Sequence, residues 1–148
     1  MTILLVIDVQ EKYMGYYSND LIEKVNERID ATKAGTEPVI YVRNISMLGN
    51  TEGYELAKNL HVESELVFDK RKPSAFTNEA FCKALKAIGE TSIEIIGVDG
   101  NCCVKKTAID AKRAGYEVSL NTKCIGFRSP KITERTLDEL SKEGVKIK

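Results

Sequence analysis

The sequence predicts an α/β fold built on a parallel sheet, and three observations carry that prediction. Short apolar runs rich in Val, Ile and Leu alternate with segments whose apolar residues recur at helical spacing, the pattern of successive β–α–β units. Six runs read as strands, at 2–8, 38–43, 65–69, 92–97, 116–120 and 145–147. The chain has 148 residues, 43% of them hydrophobic, which suits one core and one domain over residues 1–148.

The elements follow in order. The first strand carries Ile3-Leu4-Leu5-Val6-Ile7 and ends at Asp8-Val9-Gln10. Behind it, Leu21, Ile22, Val25, Ile29 and Ala34 recur at helical spacing after Ser18-Asn19-Asp20, which can cap a helix start, and Gly35 can close it. Residues 44 to 60 are the least regular stretch, with one short helix expected from about Glu52 to Leu60. The third strand leads into Lys70-Arg71-Lys72-Pro73-Ser74-Ala75-Phe76, and Phe81, Leu85 and Ile88 then mark a helix that stops near Gly89. The fourth strand runs into Gly97-Val98-Asp99-Gly100-Asn101-Cys102-Cys103, where a helix carrying Ala108, Ile109, Ala111 and Ala114 begins and runs to Gly115. Pro130 introduces a last helix, about Lys131 to Lys142, with Ile132, Leu137 and Leu140 facing inward and Gly144 as its exit.

Composition removes several classes of function. Lys plus Arg equal Asp plus Glu at 22 each, with no basic run interleaved with aromatics, so no nucleic-acid partner is expected. The N-terminal apolar run lacks a basic lead and ends in Asp8, which fits neither a signal peptide nor a membrane span. A cytoplasmic protein without a membrane partner is expected. The four cysteines read as free thiols, and with neither a C-x-x-C pair nor a histidine beyond His61, no metal and no other cofactor are expected. His61 reads as a surface residue.

In open parallel sheets the ligand crevice lies outside the carboxyl ends of the strands, and Asp8, Lys70 and the loop 97–103 all stand at such ends. If the first, third and fourth strands lie near the middle of the sheet, their tips converge. A thiol at the start of the helix after residue 102 would meet unpaired N–H groups and the helix dipole, which lower its pKa. Lys70 nearby would lower it further, Asp8 could carry the thiol proton, and the loop's N–H groups could hold an oxyanion. Each residue also has a structural reading. Cys102 and Cys103 can be small core residues, Cys82 sits in a helix and Cys124 in a loop after a strand, Asp8 can be a turn residue, and Lys70 beside Arg71 and Lys72 resembles solvated charge.

The joint pattern goes further. Asp8-Val9-Gln10, then Lys70-x-x-x-Ser74-Ala75-Phe76, then Gly97-Val98 followed after four residues by Cys103-Val104-x-x-Thr107-Ala108-x-Asp110-Ala111, resembles the isochorismatase-like cysteine hydrolase family, nicotinamidases included. The similarity is collinear over nearly the whole chain. It implies a three-layer α/β/α fold with a six-stranded parallel sheet, and it assigns Asp8 as acid/base, Lys70 as the catalytic lysine and Cys103 as nucleophile, which decides between the two adjacent thiols. It also implies a cis peptide at Val98-Asp99 that aims the Asp99 and Cys103 N–H groups at an oxyanion, and association as a homodimer or larger homo-oligomer. Substrate contacts are expected from Gln10, Tyr13 and Phe76.

The chain departs from the family at named places. Metal-binding nicotinamidases use an Asp and two histidines after the second strand, where this chain reads Arg43-Asn44-Ile45-Ser46-Met47-Leu48. Lys123-Cys124 stands where relatives tend to carry Asp-Ala. The expectation is therefore a metal-independent cysteine hydrolase acting on a small amide or related C–N bond through a thioester. The alternative is a non-catalytic small-molecule binding or assembly protein that retains the fold. A Rossmann-type nucleotide site is disfavoured, because Asp8-Val9-Gln10-Glu11-Lys12-Tyr13 replaces the glycine-rich turn.

Overall fold

A computed structural model describes residues 1–148. The elements are β1 (Thr2–Ile7), α1 (Glu11–Met14), α2 (Leu21–Gly35), β2 (Val39–Asn44), β3 (Val67–Lys70), a 3₁₀ turn (Ala75–Thr77), α3 (Glu79–Ile88), β4 (Ser92–Val98), α4 (Cys103–Arg113), β5 (Glu117–Gly126), α5 (Pro130–Lys142) and β6 (Lys146–Ile147). All strands are parallel, in the order β3-β2-β1-β4-β5-β6. The winding reverses between β1 and β4, so the crevice of this sheet opens at their carboxyl ends. No helix is long and apolar enough to cross a membrane.

Alternation along the central strand divides the core. Ile3, Leu5 and Ile7 pack with Phe81 and Leu85 of α3, Val104 and Ala108 of α4 and Leu140 of α5. Leu4 and Val6 point the other way, toward Leu21, Val25 and Ile29 of α2 and Ala57 and Leu60. Successive residues of a strand face opposite sides, so an apolar run covered on both faces must be apolar throughout. The β1 side chains from Ile3 to Ile7 are accordingly all at 0% exposure.

Several expectations need correction. The segment 52–60 is not helical: turns at 52–53 and 58–59 flank an antiparallel bridge between Gln10 and Leu56, with bonds from Glu11 N to Glu55 O and Ala57 N to Val9 O. Helix α2 does not close on Gly35, since Thr36 takes the left-handed cap at φ 55°. The inward position near its end is Thr32, whose hydroxyl bonds Ile29 O, while Ala34 is exposed. In α5 the buried positions are Thr136 and Leu140, and Ile132 lies at the surface. Strand β5 continues six residues past Leu120 through a register shift against β4, which places Cys124 in a strand rather than a loop, fully buried.

Topology also corrects the expected convergence. β1 and β4 are neighbours, but β3 is the edge strand, two places from β1. Lys70 therefore reaches over the end of β2, where its register partner is Asn44.

Candidate active site

Asp8 is the first residue beyond β1 and turns there with φ 53°, a left-handed conformation that Asp tolerates better than most residues. Its N–H remains tied to Val42 O at 2.9 Å, so the turn redirects the side chain without breaking the sheet. The carboxylate is buried. Lys70 Nζ donates to Asp8 Oδ2 at 3.0 Å and to Asn44 Oδ1 at 3.1 Å, and the Lys70 side chain is at 0% exposure. The solvated-charge reading of Lys70 is thus wrong, because a buried ammonium requires such partners. Asp8 Oδ1 is buried and has no hydrogen-bond partner.

The second half of the site is the turn from β4 into α4. Gly97 holds φ +116°, and a Cβ there would lie 2.1 Å from Ile7 O, so glycine is what lets β4 approach β1 at the site. The Val98–Asp99 peptide is cis. Asp99 then staples the loop: Oδ2 accepts from Tyr17 Oη at 3.0 Å and Arg128 N at 2.6 Å, and Oδ1 accepts from Asn101 N at 2.8 Å. Asp99 O accepts from Cys102 N and Val104 N, both at 3.1 Å. The N–H groups of Asp99 and Cys103 donate to no protein acceptor. Cys103 is the first residue of α4, with Cys102 as its N-cap.

Electrostatics overturn one expectation. Burial, then the Asp8 carboxylate, push the Cys103 thiol well above the ordinary thiol range, and the opposing pull of Lys70 does not compensate. Asp8 itself is raised by burial, with Lys70 and the Cys103 thiol lowering it in part. The helix N-terminus therefore does not produce a standing thiolate. Burial and the Asp8 carboxyl group favour the protonated thiol, and Asp8 is itself tied to Lys70.

The structure distributes the remaining expected residues unevenly. Gln10 does not face a substrate: it is fully buried, its Nε2 donates to Asn44 O at 3.0 Å and Tyr54 O at 2.8 Å, and its Oε1 accepts from Asn44 N at 2.7 Å. Phe76 also turns away, packing edge-on against Phe81 and at a tilt against Tyr116 at the amino end of β5. Tyr13 stands at the site, its Oη accepting from Asn44 Nδ2 at 3.2 Å. Cys102 is exposed, not a core residue, and Cys124 Sγ meets Lys24 O at 3.4 Å on the α2 face. His61 is exposed and bonded to Asp30. A cavity of about 400 Å³ lined by Lys112, Lys146 and Lys148 lies at the opposite end of the sheet.

From the sequence, Tyr17 and Asn44 are expected only as parts of irregular pocket-lining segments, at 13–17 and 44–54, without a role of their own, and Arg128 is not expected at all. Asn44 had a signal, since it ends β2 as Lys70 ends β3 and stands one residue beyond the predicted strand. Tyr17 and Arg128 act through Asp99 contacts across 82 and 29 residues, which no local pattern marks.

Fold and site together define an α/β protein with an Asp, a Lys and a Cys gathered at the carboxyl edge of a doubly wound parallel sheet. Residues 2–147 match the Isochorismatase domain, and the chain belongs to the isochorismatase family, as a hydrolase of that family. It is 26% identical over 151 residues to the secreted isochorismatase effector Isc1 of Phytophthora sojae, covering 99% of this chain and 71% of that protein. It is 25% identical to nicotinamidase 3 of Arabidopsis thaliana, covering 93% of this chain and 79% of that one. The pyrazinamidase of Pyrococcus horikoshii, solved in complex with zinc, superimposes with a TM-score of 0.87 at 26% identity, covering 99% and 98% of the two chains.

A zinc site of the Asp and two-histidine type does not fit the residues after β2. Asn44 has its amide engaged by Lys70 and Tyr13, and the loop beyond offers Ser46, Asn50, Thr51, Glu52 and Tyr54, a set with no imidazole or thiolate. Asp30, His61 and Glu63 cluster instead on the exposed surface, where Asp30 pairs with His61 and Glu63 with Lys33.

Proposed function

We propose that the protein is a metal-independent cysteine hydrolase that cleaves a small amide or related C–N bond through a thioester. The observation that carries this reading is the division of Asp8: one oxygen is fixed by Lys70, and the other is buried without a partner while the carboxyl group acts on the Cys103 thiol. A raised thiol needs a base at the moment of attack. Asp8 takes the Cys103 proton as sulfur adds to the substrate carbonyl. The unpaired N–H groups of Asp99 and Cys103 receive the oxyanion, fixed in place before charge develops. Asp8 returns the proton to the departing nitrogen, the C–N bond breaks and a thioester remains. Water, deprotonated by Asp8, then adds to the thioester carbonyl, the acid departs and the thiol regains its proton. Lys70 holds Asp8 in position and offsets part of the cost of burying its charge. The names of two relatives, a nicotinamidase and a pyrazinamidase, denote amide hydrolases and support the choice of bond.

The test uses an activated ester, which needs no knowledge of the natural substrate. Rapid acid quench of the enzyme with p-nitrophenyl acetate, followed by peptide mass analysis, should find the acetyl group on Cys103, removable by hydroxylamine. A burst of nitrophenolate with no acyl group on Cys103, or a burst undiminished in Cys103→Ala, would refute the reading.

A further inference from the structure

Asp99 carries one of the two free N–H groups at the site, while its other polar atoms are all engaged. Its carbonyl oxygen accepts from Cys102 N and Val104 N. Its carboxylate meets donors from three segments: Asn101 N at 2.8 Å within the loop, Arg128 N at 2.6 Å beyond β5, and Tyr17 Oη at 3.0 Å between α1 and α2. The surrounding backbone is pinned in turn. Gly100 N donates to Gly126 O at 2.8 Å and Asn101 Nδ2 to Ser129 O at 3.0 Å, so residues 99, 100 and 101 each bond the segment 126–129. The Tyr17 ring lies against Gly126, where a Cβ would stand 2.5 Å from its Cδ1. The Arg128 guanidinium stacks on the Tyr16 ring at 3.8 Å, so the Asp99 charge is met by neutral N–H and O–H groups rather than by a cation. A carboxylate at this place opposes negative charge on a nearby oxyanion or thiolate. What it offers the reaction is therefore geometric.

We infer that the Asp99 carboxylate, anchored by Tyr17 and by the Arg128 backbone, is a positioning group that fixes the direction of its own N–H toward the developing oxyanion, and that Tyr17 is a positioning residue acting through it. The inference rests on the amide-hydrolase reading and adds to it two side chains that touch neither substrate nor nucleophile. With its carbonyl and carboxylate both held, residue 99 cannot turn its N–H away without breaking bonds to three segments. Donors fixed before charge develops need no reorganisation in the transition state, which is where an oxyanion hole gains its effect. The Tyr17 hydroxyl stays a donor, because burial and then the Asp99 charge hold its proton affinity above the ordinary phenol range.

Two reactions of one thiol separate positioning from a general loss of structure. In acylation by p-nitrophenyl acetate, sulfur adds to the carbonyl carbon, a tetrahedral oxyanion forms and collapses, and nitrophenolate leaves. Methyl methanethiosulfonate has no carbonyl: the Cys103 sulfur attacks its divalent sulfur, a disulfide forms and methanesulfinate leaves. In both, Asp8 takes the thiol proton. The two rates are measured at Cys103, resolved from Cys102 by peptide mass analysis, in wild type, Tyr17→Phe, Asp99→Ala and the double variant. Tyr17→Phe keeps the ring and removes one hydrogen bond, and should lower acylation about tenfold. Asp99→Ala releases all three anchors and should lower it about a hundredfold, toward the loss of a whole oxyanion donor. Thiosulfonate modification should be nearly unchanged in both, since burial, Asp8 and Lys70 lead among the influences on the thiol. Adding Tyr17→Phe to Asp99→Ala should lower acylation no further. Tyr17→Phe carries the test alone where Asp99→Ala does not fold. Acylation unchanged in Tyr17→Phe, the two rates falling in parallel, or both rising as they would if the Asp99 charge acted directly, would overturn the inference and leave the hydrolase reading intact. Absence of acylation at Cys103 in wild type would overturn the hydrolase reading and this inference with it.

Discussion

Replacing Asp8 by Asn should make Cys103 more reactive toward alkylating agents while abolishing turnover. The substitution keeps the left-handed turn at φ 53°, which Asn also tolerates, and keeps an oxygen to accept from Lys70. It removes a negative charge beside the thiol, and that charge is, after burial, the largest of the causes pushing the thiol's proton affinity up. Two unit charges about 4 Å apart at an effective dielectric near 20 repel by about 4 kcal/mol, which corresponds to about a thousandfold more thiolate at a fixed pH below the midpoint. A less basic thiolate is a weaker nucleophile, with a Brønsted slope of about 0.4–0.5, so the net gain in alkylation is about fortyfold. The Lys70 ammonium, no longer neutralised, acts in the same direction. The assay is the iodoacetamide rate between about pH 6 and 10, with Cys103 and the exposed Cys102 resolved by peptide mass analysis. In wild type the Cys103 rate should still be climbing at the alkaline end. Lys70→Met should shift the profile the other way, to slower labelling. Equal or slower labelling in Asp8→Asn would show that the carboxylate does not oppose ionisation of the thiol, and would refute the neutral-thiol resting state.

Three further predictions concern the scaffold. Gly97→Ala places a Cβ 2.1 Å from Ile7 O and 2.7 Å from Ile7 N, backbone atoms that cannot yield, so a loss of about 4 kcal/mol or failure to fold is expected in thermal or urea melts. Glu94, buried under β5 and held by Arg28 at 2.7 Å and Lys148 at 3.3 Å, has its carboxyl below the ordinary range, with burial opposing and the Arg28 bond and charge prevailing. A lowered folded value gives stability that is present above the unfolded carboxyl midpoint and lost as pH falls through the folded one. Glu94→Gln should therefore cost about 3 kcal/mol near pH 7, and its urea midpoint should approach that of wild type only as pH falls below the ordinary carboxyl range. Thr36 is a β-branched residue at φ 55°, so Thr36→Gly should raise stability by about 1 kcal/mol, seen as a higher melting temperature.

Much of this fold is legible because burial on both faces forces apolar continuity. Ile3 to Ile7, and Ile93, Ile95, Ile96 and Val98 around the single buried charge of Glu94, announce the two central strands, and the glycines at 89 and 115 sit just where α3 and α4 end. The extension of β5 is not legible, since Asn121, Thr122 and Lys123 are polar and owe their place to Glu94, to the C-terminal Lys148 backbone and to a shifted register with β4. The stretch 52–60 has helix-favouring residues, but Gln10, Val9 and Glu11 draw its backbone into pairing that propensity does not encode.

For the site, strand ends located Asp8, Lys70 and the cysteine loop. Sequence could not rank the forces on Cys103, because helix position is visible in a sequence whereas burial and the proximity of Asp8 are properties of the assembled site. Gln10 and Phe76 fail as substrate contacts for a related reason. Proximity to a motif does not tell which way a side chain turns, and one is absorbed by the Asn44 backbone, the other by Phe81 and Tyr116.

The central claim is hydrolysis of an amide by Cys103 without a metal. The most direct measurement is ammonia release from nicotinamide, pyrazinamide and related small carboxamides by chelator-treated enzyme, compared with Cys103→Ala. The account predicts release by the chelated wild type, unchanged by added zinc, and none by Cys103→Ala. Release that survives in Cys103→Ala, or that is lost on chelation and restored by zinc, would contradict it.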